Sequence, residues 1–162
     1  MSKTYVRVDD RLIHGQTIMS WAPTLKLEEF IAVDDTIAAN PMLKSILTMG
    51  VPKNYVTHIV STEEARALLA QDDGMNRMVI VKTPHQLVDL KDAIKGCEHV
   101  YLGNMAKRDD TVHHVTDATG IFWLSDQDVA DLSALADEGF EISFHQLPNE
   151  TERSWDAYLK TL

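Results

Sequence analysis

Met78-Val-Ile-Val-Lys82 is an almost unbroken apolar run, and its chemistry sets the fold class. A strand with one wet face alternates apolar and polar side chains. One that is apolar at successive positions is covered on both faces, as in the interior of a parallel sheet. The run is too short for a buried helix and is rich in β-branched residues.

Outward from it, strand-like and helix-like stretches alternate along the chain. Upstream, Thr4–Asp9, Glu29–Asp34 and Val56–Val60 read as strands. Helices are predicted over Gly15–Trp21, closed before Pro23, and over Ala38–Thr48 with Pro41 in its first turn and Gly50 beyond its end. Ser61 and Thr62 with Glu64 form a capping signal ahead of a helix over Glu63–Gln71. Downstream, Leu87, Leu90, Ala93 and Ile94 fall at helical spacing, and Gly96 ends that helix. His99–Leu102 is a fifth strand with Gly103-Asn104-Met105 as its exit loop, followed by a less regular stretch with a short strand around Gly120–Trp123. Ser125 caps a helix over Asp126–Glu138 whose first turn is acidic, Glu141–Leu147 is a late strand, and Ser154–Leu162 a terminal helix. Five or more such units predict an α/β sandwich around a mostly parallel sheet of six to seven strands.

At 162 residues, with 44% hydrophobic and 25% charged residues, the chain fits one globular domain, 1–162, without a linker or repeat. No apolar run reaches the ~20 residues that span a bilayer, and the start Met1-Ser-Lys-Thr-Tyr-Val6 lacks the apolar stretch of a secretory signal. The single cysteine, Cys97, excludes an intrachain disulfide and suits a reducing cytoplasm. A net charge of −10 argues against nucleic acid and anionic lipid as partners, and it leads one to expect a partner with basic residues.

In open α/β sheets, ligands collect beyond the carboxyl ends of the strands, so residues just after strands are the informative ones. The first strand ends in Asp9-Asp10, then Arg11 and His14; the second ends in Asp34-Asp35. His14 immediately precedes a helix start, where free N–H groups and the helix dipole favour an anion such as a phosphoryl group. Gly15 and Gln16 open that helix, and Gly15 removes a side chain that would crowd such a group. A histidine with a pKa near ~6.5 is largely a neutral nucleophile at cytoplasmic pH. Arg11 can fork onto phosphoryl oxygens, and Asp9 or Asp10 can accept the other ring N–H. Taken singly, a histidine after a strand and an Asp-Asp-Arg turn are ordinary surface features.

The segment Arg7-Val-Asp-Asp-Arg-Leu-Ile-His-Gly-Gln16 closely resembles the signature of IIB components of the mannose/fructose/sorbose family of the bacterial sugar phosphotransferase system. Val33-Asp-Asp-Thr-Ile-Ala-Ala-Asn40 is similar to the family's acidic second loop. Gly103-Asn104-Met105 is similar to its Gly-Gly-Met loop, with Asn104 as a departure. The length is that of a free-standing IIB subunit. The resemblance implies a three-layer α/β/α fold and a transient phosphohistidine at Nδ1 of His14, with Arg11 as the phosphoryl-binding arginine. It places Asp10, Gly15, Gln16, Asp34 and Asp35 around the group in binding or orienting roles. It further implies a IIA phosphodonor, delivery to a sugar held by membrane IIC and IID subunits, and no cofactor. The transported sugar and the oligomeric state are not readable from the chain.

Competing readings are weaker. Cys97 precedes the fifth strand, whereas cysteine-phosphorylating IIB families carry theirs after the first, so it reads as a packing residue. His113-His114 alternate across a strand and lack metal-ligand spacing. His58, His85, His99 and His145 are scattered, Trp21 reads as core, and Met42, Met49, Met75 and Met78 read as gap-fillers, with Met105 free for a partner contact. A receiver-like domain phosphorylated on aspartate would use the Asp9-Asp10 pair, but the third and fifth strands exit without the aspartate and lysine it needs. Nothing specific favours a non-catalytic scaffold.

Overall fold

The computed structural model describes residues 2–162, apart from the side chain of Gln16. Its centre is the strand announced by the apolar run, β4 (Arg77–Val81), buried at every position. It lies between β2 (Glu29–Val33) and β1 (Thr4–Asp9), both parallel to it. The order continues outward to β3 (Val56–Val60) on one side and to β5 (Val100–Asn104), β8 (Ile142–Phe144) and β9 (Arg153–Ser154) on the other. Only β9 runs antiparallel, so the expected mostly parallel sheet holds, with seven strands.

Side-chain alternation divides the core in two. Val6, Val8, Ile31, Val33, Val79 and Val81 point to one face. There they meet α4 (Thr62–Leu69), α5 (Pro84–Leu90), α6 (Asp126–Asp137) and α7 (Trp155–Leu159). Tyr5, Phe30, Ala32, Met78, Ile80 and Tyr101 point to the other, under α1 (Gly15–Leu25), with Leu47 of α3 (Pro41–Met49) at the margin. The result is a three-layer α/β/α sandwich.

Several element boundaries differ from expectation for local reasons. α1 runs through Pro23 to Leu25. The proline gives up the N–H bond to the Met19 carbonyl one turn back but lets the helix run two residues further, and Lys26 closes it in the left-handed conformation. The second crossover splits into a single turn, α2 (Asp35–Ala38), and α3, because Asn40 caps a new helix ahead of Pro41. The apolar spacing past Leu90 belongs to successive turns rather than helix: Ala93 and Cys97 donate to carbonyls three residues back, which keeps Ile94 facing the core. Ser61 and Ser125 cap their helices as expected. The irregular stretch forms a hairpin, β6 (Thr111–His114) with β7 (Trp123–Ser125).

The fifth strand extends through Gly103 and Asn104 instead of ending before them. Gly103 is not a loop glycine: a Cβ there would stand 2.2 Å from Cζ of Arg7, whose guanidinium lies flat against the strand. Met105 is buried and bridged to Phe122, which removes it from any partner surface. Of the methionines read as packing, Met78 is fully buried, but Met42 and Met49 are 72% and 82% exposed.

Two measurements follow from this packing. Gly103→Ala should lower unfolding free energy by about 2 kcal/mol or more, because neither backbone nor a buried guanidinium can yield; a urea midpoint within error of the parent would refute the tight contact. At the amino end of β2, Glu29 is buried beside His58 at 3.1 Å. Burial, with Asp73 adding to it, pushes its carboxyl up to about 7. The folded state therefore holds a proton that the unfolded chain has released, so this contribution is full below about 4.5 and lost as pH rises through 7. Glu29→Gln should gain on the parent by on the order of 1–3 kcal/mol between pH ~5 and ~8, and a pH-independent difference in chemical-denaturation curves would contradict this.

Candidate functional site

β1 alternates Tyr5, Arg7 and Asp9 onto the α1 face, which puts a cation and an anion inside the sandwich. Arg7 is fully buried. Its guanidinium donates to the carbonyls of His145 and Gln146 at 3.2 and 3.0 Å and to Asp9 at 3.4 Å, and it lies 5.7 Å from the Trp21 ring. Burial pushes it down to about 10, still protonated at neutral pH. Trp21 donates to the same Gln146 carbonyl at 2.8 Å, so α1 and the 145–146 segment share one anchor.

Asp9, also fully buried, accepts from Arg7 on one side and from Arg11 on the other. Arg11 Nε and Nη2 each reach it at 3.0 Å in a two-point clasp, and the Arg11 backbone N–H adds a bond at 2.9 Å. The carboxylate holds the Arg11 guanidinium above its usual range. Leu12 then turns the chain in the left-handed region at φ 56°, with its N–H on the Asp9 carbonyl and its side chain buried. A β-carbon residue at positive φ stores about 1 kcal/mol of strain, held here by the bonds on either side.

His14 follows as the N-cap of α1 and makes no side-chain capping bond, unlike Ser61, Ser125 and Ser154 at their helices. Its Nδ1 is enclosed and has no hydrogen-bond partner among the described residues. The expectation that Asp9 or Asp10 accepts a ring N–H therefore fails: Asp9 is spent on two arginines. Asp10 accepts from Asn104 Nδ2 at 2.7 Å and from the Ala106 N–H at 2.8 Å. A Cβ at Gly15 would meet nothing within 4 Å, so this flank of the histidine is open. The side chain of Gln16 lies outside the description.

The acidic second loop is framework. Asp34 caps α2 through Ile37 N–H at 2.8 Å and pairs with Lys82 at 3.4 Å; Asp35 accepts from Thr62 N–H at 2.7 Å. Together they tie the exits of β2, β3 and β4, and among the described residues neither bonds to His14 or Arg11. The crossover after β1 covers one face of the sheet and the crossover after β4 the other. The exits of these neighbouring strands thus diverge, and His14 stands at that switch point.

Sequence reading gave no role to Arg7, to the Asn104 clasp on Asp10, or to His99 and His145. Glu152 reaches Ser143 at 2.8 Å and lies 3.8 Å from His99 and 3.5 Å from His145, fastening the segment whose carbonyls receive Arg7. An arginine at an inward strand position was the one visible signal. Cys97 packs against the core, and burial pushes its thiol up to about 11, as suits a packing residue. Among the described residues, no group of three or more His, Cys, Asp or Glu is placed to hold a metal ion. No described helix is long and apolar enough to cross a membrane.

Comparison with known proteins addresses the whole chain. Residues 3–162 match the family model described as the PTS system sorbose subfamily IIB component. The chain is 26% identical over its full length to the fructose-specific EIIB component of Bacillus subtilis, covering 98% of that protein. It is 25% identical to the mannose-specific EIIAB component of Escherichia coli, where it spans 44% of the relative. In fold, it superposes on the IIBSor domain of the Klebsiella pneumoniae sorbose permease with a TM-score of 0.87 at 21% identity, covering 100% of this chain and 99% of that one. IIB components are phosphotransferases of the sugar phosphotransferase system. With an uncapped histidine at the sheet's switch point and a family match over nearly its whole length, the chain belongs to the sorbose subfamily of phosphotransferase-system IIB components.

Proposed function

We propose that this chain, acting as a single domain over 1–162, is a phosphoryl carrier that takes its group on Nδ1 of His14 from a phosphohistidine of a IIA subunit. It passes the group to a sugar during uptake through membrane IIC and IID subunits, working at the cytoplasmic face of the membrane. The observation that carries the reading is the unpartnered Nδ1 of a histidine at an uncapped helix start, beside an arginine already oriented by a buried carboxylate.

The step balances simply. The Nδ1 lone pair attacks phosphorus, the P–N bond to the donor breaks, and its electron pair returns to the donor imidazole; Nε2 keeps its proton throughout. Rotation of the His14 ring about its side-chain bonds brings the enclosed Nδ1 out to the incoming group. The first-turn N–H groups of α1 and the open flank at Gly15 then receive its oxygens. Arg11 contributes charge in the transition state, where its fork stabilises the equatorial oxygens. Asp10, Asp34 and Asp35 act on the site by fixing the loops that frame it, and Gln16 completes the helix start. Transport of fructose, mannose or sorbose is what the names of the relatives describe; a hexose or amino sugar is the class proposed here.

A phosphorylated species should form that survives alkali, is lost in mild acid, and is absent in His14→Ala. Undiminished labelling of that variant would remove His14 from the mechanism. Arg11→Ala should slow transfer by about 10²–10³-fold while shifting stability by no more than about 1 kcal/mol, since the side chain is partly exposed and its role is transition-state charge. Single-turnover rates equal to the parent would exclude that role.

A further inference from the structure

Asp10 carries a negative charge at the exit of β1 that no cation pairs among the described residues. The cations of the two neighbouring strand exits are spent elsewhere: Arg7 and Arg11 on Asp9, Lys107 over the Trp123 ring at 5.0 Å, and Arg108 on Asp110 and Asp128. What holds Asp10 is uncharged. The Asn104 amide Nδ2 donates to one carboxylate oxygen at 2.7 Å and the Ala106 N–H to the other at 2.8 Å. The Asp10 N–H returns a bond to the Asn104 carbonyl at 3.1 Å. Asn104 is the last residue of β5 and only 6% exposed, so both oxygens are turned onto that strand's exit. It is also where the chain departs from the Gly-Gly-Met pattern, and glycine there has no side chain to make this bond.

The carboxylate so held is the sequence neighbour of Arg11. The hydrogen-bonded clasp of Asp9 is the main cause that keeps the Arg11 guanidinium above its usual range, and the charge of Asp10 adds to it. Arg11 spends Nε and Nη2 on Asp9, which leaves the donors of its other edge, at Nη1, for phosphoryl oxygens. The side chain is 30% exposed, so a charged group can reach it. A carboxylate released from β5 would take those donors by the same charge-assisted geometry that a phosphoryl group uses. It would also set a like charge beside that group.

We propose that Asn104 is a positioning residue for phosphoryl transfer, holding the Asp10 carboxylate on β5 so that the free edge of Arg11 stays available to the group on His14. The inference rests on the carrier reading above. An amide suits the task because it binds a carboxylate without neutralising it. Alanine at 104 would leave one oxygen of Asp10 unbound, and aspartate, of nearly the same shape, would set two carboxylates together. The role is one of charge rather than of joining β1 to β5. The Asp10 N–H bond to the residue 104 carbonyl and the Ala106 N–H bond to Asp10 do not depend on the side chain at 104.

The test compares Asn104→Ala, Asp10→Asn and their combination in the full chain, with circular dichroism and urea midpoints on each. Transfer is measured from the phosphorylated IIA subunit of the same transporter and from phosphoramidate, a small donor that needs no docking. Asn104→Ala should lower kcat about tenfold with both donors and leave KM for IIA within about twofold. Whatever Asp10→Asn costs alone, adding Asn104→Ala to it should cost less than about twofold more, because no charge remains to be held. Asn104→Asp should be slowest relative to the parent at pH ~8 and approach it near pH ~5.5, where one proton shared with Asp10 restores the bond. Taking the ratio to the parent cancels the titration of His14. A parent-like kcat in Asn104→Ala overturns the proposal. So does an equal loss in both backgrounds, which would mark a purely structural tie. A ratio for Asn104→Asp that is constant with pH also overturns it, and this variant decides the matter if the alanine protein is unfolded. Failure of the parent to be labelled on His14 by either donor overturns the carrier reading itself.

Discussion

The carboxylate of Asp9, wholly buried between the guanidiniums of Arg7 and Arg11, is the interaction on which the rest of the site depends. Removing Arg7, the fully buried partner, leaves an uncompensated charge in the interior at a cost of about 3–5 kcal/mol, whereas losing the partly exposed Arg11 leaves Asp9 still paired with Arg7. The structure accordingly surrounds it with commitments. Gly103 has no side chain because Arg7 occupies the space, and the carbonyls of His145 and Gln146 turn inward to receive the same guanidinium. Trp21 of α1 joins them through the Gln146 carbonyl. One buried charge therefore fixes the relative positions of β1, β5, α1 and the segment after β8.

The arrangement also explains how a mobile-looking loop can be a defined site. Asp9 clasps Arg11 by side chain and backbone, its carbonyl receives Leu12, and Leu12 turns in a strained conformation that delivers His14 to the start of α1. Rigidity is thus supplied from within the sheet, and the loop itself remains at the surface where a partner can reach it. The histidine is left without a carboxylate partner, which fits the proposed carrier role. A carboxylate fixed on the ring would strengthen the nucleophile but would also stabilise the charged ring.

Two halves of the sandwich serve opposite ends. The layer of α4, α5, α6 and α7 buries the larger core, anchored by Trp155, Tyr158 and the aliphatic face of the sheet, and carries the acidic helix starts. The layer of α1 and α3 buries the smaller core; neither helix contains Asp or Glu, and both leave apolar side chains in solvent. Most of the buried apolar core lies under the first layer, and His14 stands at the start of a helix in the second. This division lets α3 present Met42, Ile46 and Met49 outward without exposing the main core.

Much of the fold was legible in the sequence because period and punctuation are local. The buried run of β4, the bounds of β1 and β3, and the capping serines at 61 and 125 all follow from neighbouring residues alone. The family signature around His14 was equally local. What the chain order could not show is which distant groups share a charge. Whether Gly103 is a loop or a cradle, whether Asp10 meets a ring nitrogen or Asn104, and where Asp35 finds its donor were decided by contacts between residues far apart in sequence; Arg7, Asp9 and Arg11 are near neighbours, but only the fold buries them together. The strand pattern and the βα order were readable from residue order, because they depend on short-range periodicity, and the family was readable from the local signature of residues 7–16. The fold decided which of these charges is buried and what else surrounds it, such as the His145 and Gln146 carbonyls on Arg7, because desolvation makes a charge's cost depend on whatever lies within about 4 Å of it.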